Sequence, residues 1–198
     1  MRALAKLVIK IIFLVLIFPT AFAATDVQKY QVTLSTFELY NGTSWVTVFE
    51  GTSSPLDIAS ASSGQTIGNF MSGLSVPDGT YTKARATPSI TFTIRGIVNS
   101  GGTDYYTTGT QVSDGQGRTV STVSAVGPAQ DCTVTVLASD MTPGAGGVTF
   151  SGGSITVTNG VPDKKVKVFF DMSAALTTNL PLYTVIYPGG PIVTMTVE

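Results

Sequence analysis

Histidine is absent from this 198-residue chain, and cysteine occurs once, as Cys132. The first absence excludes a Ser-His-Asp or Cys-His nucleophilic pair and any His-ligated zinc or haem. The second excludes an intrachain disulfide. Charge is also scarce: 12% of residues are Asp, Glu, Lys or Arg, against roughly 25% in an ordinary soluble domain. Hydroxyl groups stand in its place. There are 30 Thr and 18 Ser, with 21 Gly and 10 Pro. So much β-branched residue and so little charge argue against a disordered chain. The length fits one domain, or at most two small ones.

The first 23 residues read as a secretory signal peptide. Arg2, Lys6 and Lys10 give a positive start, and Ile11 to Phe18 is an unbroken run of eight apolar residues. Pro19 ends the run, and Ala21-Phe22-Ala23 supplies the small-x-small cleavage site, so the cut is expected between Ala23 and Ala24. A helix of that run reaches about 12 Å, too short for a hydrocarbon core of roughly 30 Å. No stable transmembrane segment is expected after cleavage, and no Cys follows the run for lipid attachment. Cleavage removes three of the 11 basic residues and none of the 12 acidic ones, which leaves a net charge of −4. An acidic chain is poorly suited to phosphate backbones, so nucleic acid is not an expected partner. The cationic cluster Lys164, Lys165 and Lys167 reads as a polar turn entering a strand with one solvated face.

Beyond residue 24 the dominant signal is period-two alternation in segments rich in Val, Thr, Ile, Phe and Tyr. Residues 27–40 predict a long first strand whose buried face switches partway. Asn41-Gly42-Thr43-Ser44 predicts a turn. Residues 45–50 predict the returning strand, with Trp45 and Phe49 together on a core face. Residues 55–58 predict a short edge piece, and 62–71 carry helical spacing. Further strands are expected over 80–87, 89–98, 103–110, 118–126, 131–138, 147–158, 164–171, 182–187 and 192–197. Turn signals separate them, among them Pro77-Asp78-Gly79 and Asn159-Gly160. Ten or more short strands without ordinary helices predict an all-β sandwich or barrel. Residues 24–198 read as one such domain. The polar, Gly-rich stretch 97–150 reads as an insertion into it or as extra strands.

Four stretches carry a family resemblance. They are Phe37-Glu38-Leu39-Tyr40 with Trp45-Val46-Thr47-Val48-Phe49 and Leu56-Asp57-Ile58, then Leu74-Ser75-Val76-Pro77-Asp78-Gly79-Thr80-Tyr81-Thr82-Lys83-Ala84-Arg85, then Ile155-Thr156-Val157-Thr158-Asn159-Gly160 with Val166 to Met172, and finally Tyr183-Thr184-Val185-Ile186-Tyr187-Pro188 with a last short strand. Together they resemble an uncharacterised family of exported bacterial and archaeal proteins, many of them lipoproteins. The resemblance implies a transthyretin-like, Greek-key β-sandwich and an extracytoplasmic location: periplasm, cell surface or extracellular space. It transfers no catalytic residue. The chain departs from the family in lacking the lipidated Cys and in the length of its middle segment.

The chemistry-bearing residues are few. The acids fall singly in turns, including Asp78, Asp104, Asp114, Asp131, Asp140 and Asp163, where short carboxylates bond nearby amides. No D-x-D-x-D run suggests calcium, and neither a metal nor another cofactor is expected. Cys132 opens a strand and is expected to be buried as a small hydrophobe. Asn41-Gly42-Thr43 is also a glycosylation sequon, though its hairpin turn explains it sufficiently. Tyr105 and Tyr106 are adjacent strand residues, so one of them is expected to face solvent and to offer a weak ligand site. The favoured reading is a non-enzymatic exported protein with a structural or interaction role. It would associate with itself through strand edges, the long first strand in particular, or with other cell-envelope proteins. The alternatives are a carbohydrate- or small-ligand-binding module and a carboxylate-dependent hydrolase.

Overall fold

The computed structural model describes residues 24–61, 75–141, 146–179, 182 and 184–198. The signal peptide over 1–23 and the helical spacing over 62–71 lie outside the described residues. The chain is all-β, as its alternation predicts. The strands are β1 (Ala24–Val32), β2 (Leu34–Tyr40), β3 (Trp45–Glu50), β4 (Leu56–Asp57), β5 (Gly79–Tyr81), β6 (Lys83–Pro88), β7 (Thr91–Ser100), β8 (Thr103–Ser113) and β9 (Thr119–Ser124). They continue with β10 (Cys132–Thr135), β11 (Val148–Ser151), β12 (Ile155–Thr158), β13 (Val161–Pro162), β14 (Val166–Asp171), β15 (Leu176–Thr178), β16 (Val185–Pro188) and β17 (Ile192–Val197). Two single-turn 3-10 helices, Ile58–Ala61 and Ala138–Met141, are the helical elements among the described residues. Neither is long and apolar enough to cross a membrane.

The strands form three sheets. The first has the order β15-β16-β9-β10-β7-β1-β4, with β8 pairing both β7 and β9. The second runs β14-β17-β11-β6-β2-β3, and the third is β13-β12-β5. The long first strand is two strands in two sheets. β1 lies in the first sheet and β2 in the second, and the chain crosses at Thr33. It returns between Pro88 and Thr91, where Leu34 pairs with Pro88 and the Ser89 N–H bonds the Thr33 carbonyl.

Alternation puts every second side chain of each strand inside. Two apolar clusters result. In the first, Tyr30 and Val32 of β1 meet Phe92, Ile94 and Val98 of β7, Cys132 and Val134 of β10, Leu176 and Ile186. Phe49, Ala86 and Phe170 of the second sheet pack onto that cluster, so the two sheets form layers around it. In the second cluster, Leu39, Ala84, Phe150, Met195 and Val197 of the six-stranded sheet meet Tyr81, Ile155 and Val157 of the three-stranded one. Fully burying a side chain such as Ile94 contributes about 1.5–3 kcal/mol. The middle segment supplies β8, β9 and β10 to the eight-stranded sheet, and Cys132 and Val134 to its core. At Asn159-Gly160 both φ angles are positive, 54° and 74°, and Thr158 faces Val161, as a two-residue hairpin of Asn-Gly type requires.

Candidate functional site

Two features of the six-stranded sheet stand out. The first is the outer face of β2, β3 and β6, and a β-bulge creates it. Phe37 pairs with Phe49, but Glu38 pairs with Thr47, so Val48 is the extra residue. The extra residue reverses the alternation within β3. Phe49 therefore packs on the first core, while Trp45 faces outward beside its partner Tyr40. The expectation that Trp45 and Phe49 share a core face is corrected by this bulge.

Outside, the side chains interlock. The rings of Tyr40 and Trp45 lie 5.2 Å apart and tilted by 52°. The Arg85 guanidinium sits 4.3 Å from the Trp45 ring centre, and the Lys83 ammonium lies 5.2 Å from that of Tyr40. Arg85 also grips Glu38 with two bonds, Nε to Oε2 at 2.6 Å and Nη2 to Oε1 at 2.9 Å. Those bonds raise the Arg85 pKa above its ordinary value. The indole is thus already stacked on a cation that is itself paired.

The second feature is the edge strand β14. It pairs with β17 from Val166 opposite Val197 to Asp171 opposite Ile192, with no break in register. Among the described residues no strand pairs with its other side. Val166 and Val168 pack on the second core and Phe170 on the first, so Lys167, Phe169 and Asp171 point outward. Phe169 is 39% exposed and its neighbour Ile192 58%. Together with Phe170, Asp171, Met172 and Thr194 they line a shallow depression of ≈ 400 Å³. Most other described edges are short or irregular. β4 and β13 have two residues each, and β5 and β15 three. β3 carries the bulge, and β1 beyond β4 has a register shift between Val27 and Lys29. Short and bulged edges resist pairing. Of the long first strand, β2 sits between β6 and β3, while β1 bonds β7 on one side and meets β4 on the other only at Gln31 and Val32.

The residues singled out in the sequence fall elsewhere. Tyr105 and Tyr106 point to opposite faces of β8, and both are half-buried, whereas the sequence alone predicts one exposed. Tyr105 lies opposite Val98 and packs on the first core. Tyr106 lies opposite Ile97, and its ring rests against the backbone of Gly127. Cys132 is buried in the first core, and burial raises its thiol pKa despite a hydrogen bond with Ser121.

The acids are engaged. Asp131 pairs with Lys29 at 2.6 Å and Arg95 at 3.1 Å. Asp78 accepts the Gly160 N–H, Asp104 the Asn99 amide, and Asp163 the Thr156 N–H. Asp114 and Asp140 come together on Arg118, which bonds Asp140 at 2.9 and 3.1 Å and Asp114 at 3.4 Å. Burial pushes Asp114 up. The N–H groups of Gln116 and Arg118 and the guanidinium outweigh that and hold it below the usual carboxylate range. Arg118 holds Asp140 low as well. A general acid needs the opposite shift. The Arg118 guanidinium thus bridges the two carboxylates. Among the described residues no three His, Cys, Asp or Glu side chains converge as a metal site.

The described residues thus present an interlocked aromatic-cation face and a strand edge that no described strand pairs. Comparison of the chain with protein-family models, with curated proteins and with solved structures gives no match.

Proposed function

We propose that this is an exported, non-enzymatic β-sandwich, transthyretin-like in kind, that works as an interaction module outside the inner membrane and associates through a strand edge. The observation that carries this reading is β14. It is a six-residue, unbulged edge with exposed Phe169 and Ile192 beside it. Such an edge offers main-chain bonds to an incoming strand, and proteins that do not use one usually blunt it. A carboxylate hydrolase draws less support, because the close pair Asp114 and Asp140 is bridged by Arg118. A sugar-stacking module also draws less, because Arg85 already occupies the Trp45 ring.

The test is the association state of residues 24–198, followed by light scattering on a sizing column and by electron microscopy. The expected result is concentration-dependent growth in mass, or filaments, reduced by Val168→Pro. Monomer at every concentration up to about 1 mM, the weakest affinity of practical use, together with no binding to cell-envelope extracts, would overturn it.

A further inference from the structure

We infer that the partner of β14 is the β14 of a second copy, paired antiparallel about a two-fold axis at Val168. This rests on the edge-association reading above and names its partner and register. The ladder between β14 and β17 fixes which backbone groups face outward. Lys165 and Glu198 exchange both main-chain hydrogen bonds, each N–H to the other's carbonyl at 2.9 Å. In an antiparallel ladder such pairs alternate with non-bonded ones. Lys165, Lys167, Phe169 and Asp171 therefore bond toward β17. Val166, Val168 and Phe170 direct their N–H and C=O groups to the open side. A second strand must place its own outward residues opposite these three.

Charge selects among the registers that this pattern allows. The segment reads Lys165-Val166-Lys167-Val168-Phe169-Phe170-Asp171. Centring the axis on Val168 sets Lys165 opposite the second copy's Asp171, twice by symmetry. It sets Lys167, whose ammonium is bonded to Glu198 at 2.7 Å, opposite Phe169, a ring that is 39% exposed in the single chain. On the core side it sets Val166 opposite Phe170. Moving the axis one allowed step toward the N-terminus sets Lys167 opposite Lys167, and a further step sets Lys165 opposite Lys167. Like charges directly opposite are destabilising, which disfavours both. A step toward the C-terminus sets Lys167 opposite Asp171 but carries Val166 past the end of the strand to Met172. The Met172 carbonyl already accepts the Ala175 N–H, so main-chain bonds are lost there. The turn Ile58–Ala61 lies near β14, and its Ile58 and Ala59 belong to the first core on which Phe170 packs. The interface is isologous, so it closes as a dimer in which two six-stranded sheets become one.

The experiment uses Lys165→Glu and Asp171→Lys in residues 24–198, each checked for native far-UV circular dichroism. Alone, each variant sets like charges opposite each other at both ends, and its dimer dissociation constant should rise about tenfold or more. Mixed, the two variants set the new carboxylate at position 165 of one copy opposite the new ammonium at position 171 of the other. Dimer should then return as the mixed species, and its return also proves both variants folded. If wild-type protein associates and the reversals leave it unchanged, the β14 pairing is wrong while edge association stands. If wild-type protein is monomeric throughout, both fail.

Discussion

Gly147 fixes where the single tryptophan lies. Its φ is +58°, and a Cβ there would stand 2.4 Å from Trp45 Cη2 and 2.7 Å from the Ala84 carbonyl oxygen. The ring edge can move aside, but the strand carbonyl cannot. Gly147→Ala should therefore cost about 1–2 kcal/mol for the left-handed backbone alone, and more for the displaced indole. Because Trp45 is the only tryptophan, its emission reports the change directly. The expected result is a red shift and a lowered urea midpoint, and an unchanged spectrum would show that the indole does not rest on Gly147. At this scale the sequence is only partly legible. Cys132 is buried, as its position among β-branched residues suggests. Trp45 is misplaced because alternation cannot register the one extra residue at Val48.

Turns are the most legible elements, because their residues act on their own neighbours. Asn159-Gly160 and the Asx turn at Asn41, whose Oδ1 accepts the Thr43 and Ser44 N–H groups, follow from local chemistry. The reach of Asp140 back to Arg118, 22 residues away, does not. The β8–β9 turn also sets a pH dependence. Asp114 and Asp140 are held below their ordinary values in the folded chain. A carboxylate so depressed contributes stability that is fully present above its unfolded pKa, roughly 4, and is lost as pH falls through the folded value. Wild-type urea midpoints should thus be level from about pH 7 to pH 5 and fall below about pH 4. Arg118→Ala should lower the midpoint at pH 7 and flatten the fall below about pH 4. A wild-type and variant difference that is the same at about pH 7 and about pH 3 would show that the guanidinium does not hold these carboxylates down.

The whole molecule is tied together by repeated passages of the chain between its two large sheets, and at two of them one strand runs almost directly into the next. β1 continues into β2 at Thr33, and β6 continues into β7 past Pro88, each passing from one sheet to the other. Phe49, Ala86 and Phe170 of the six-stranded sheet pack on the first core, which faces the eight-stranded sheet. Period-two patterning therefore reveals an all-β chain but not its partition. The face switch within residues 27–40 marks an irregularity but not a change of sheet at Thr33, and nothing local announces that β11 will lie parallel to β17 or that β14 will be left at an edge. Non-local pairing leaves no mark on the spacing within one strand. If the crossings couple the sheets, damage to either core should weaken both. Phe92 is 4% exposed in the first core and Phe150 5% exposed in the second. Phe92→Ala and Phe150→Ala should each cost about 3–5 kcal/mol. Each should shift one common transition, seen at the same urea midpoint by Trp45 emission and by far-UV circular dichroism, as two-state unfolding demands. Trp45 sits on the six-stranded sheet, away from Phe92, so Phe92→Ala is the decisive case. If its emission transition stays at the wild-type midpoint while the dichroism splits into two steps, the eight-stranded sheet unfolds alone and the crossings do not couple the cores.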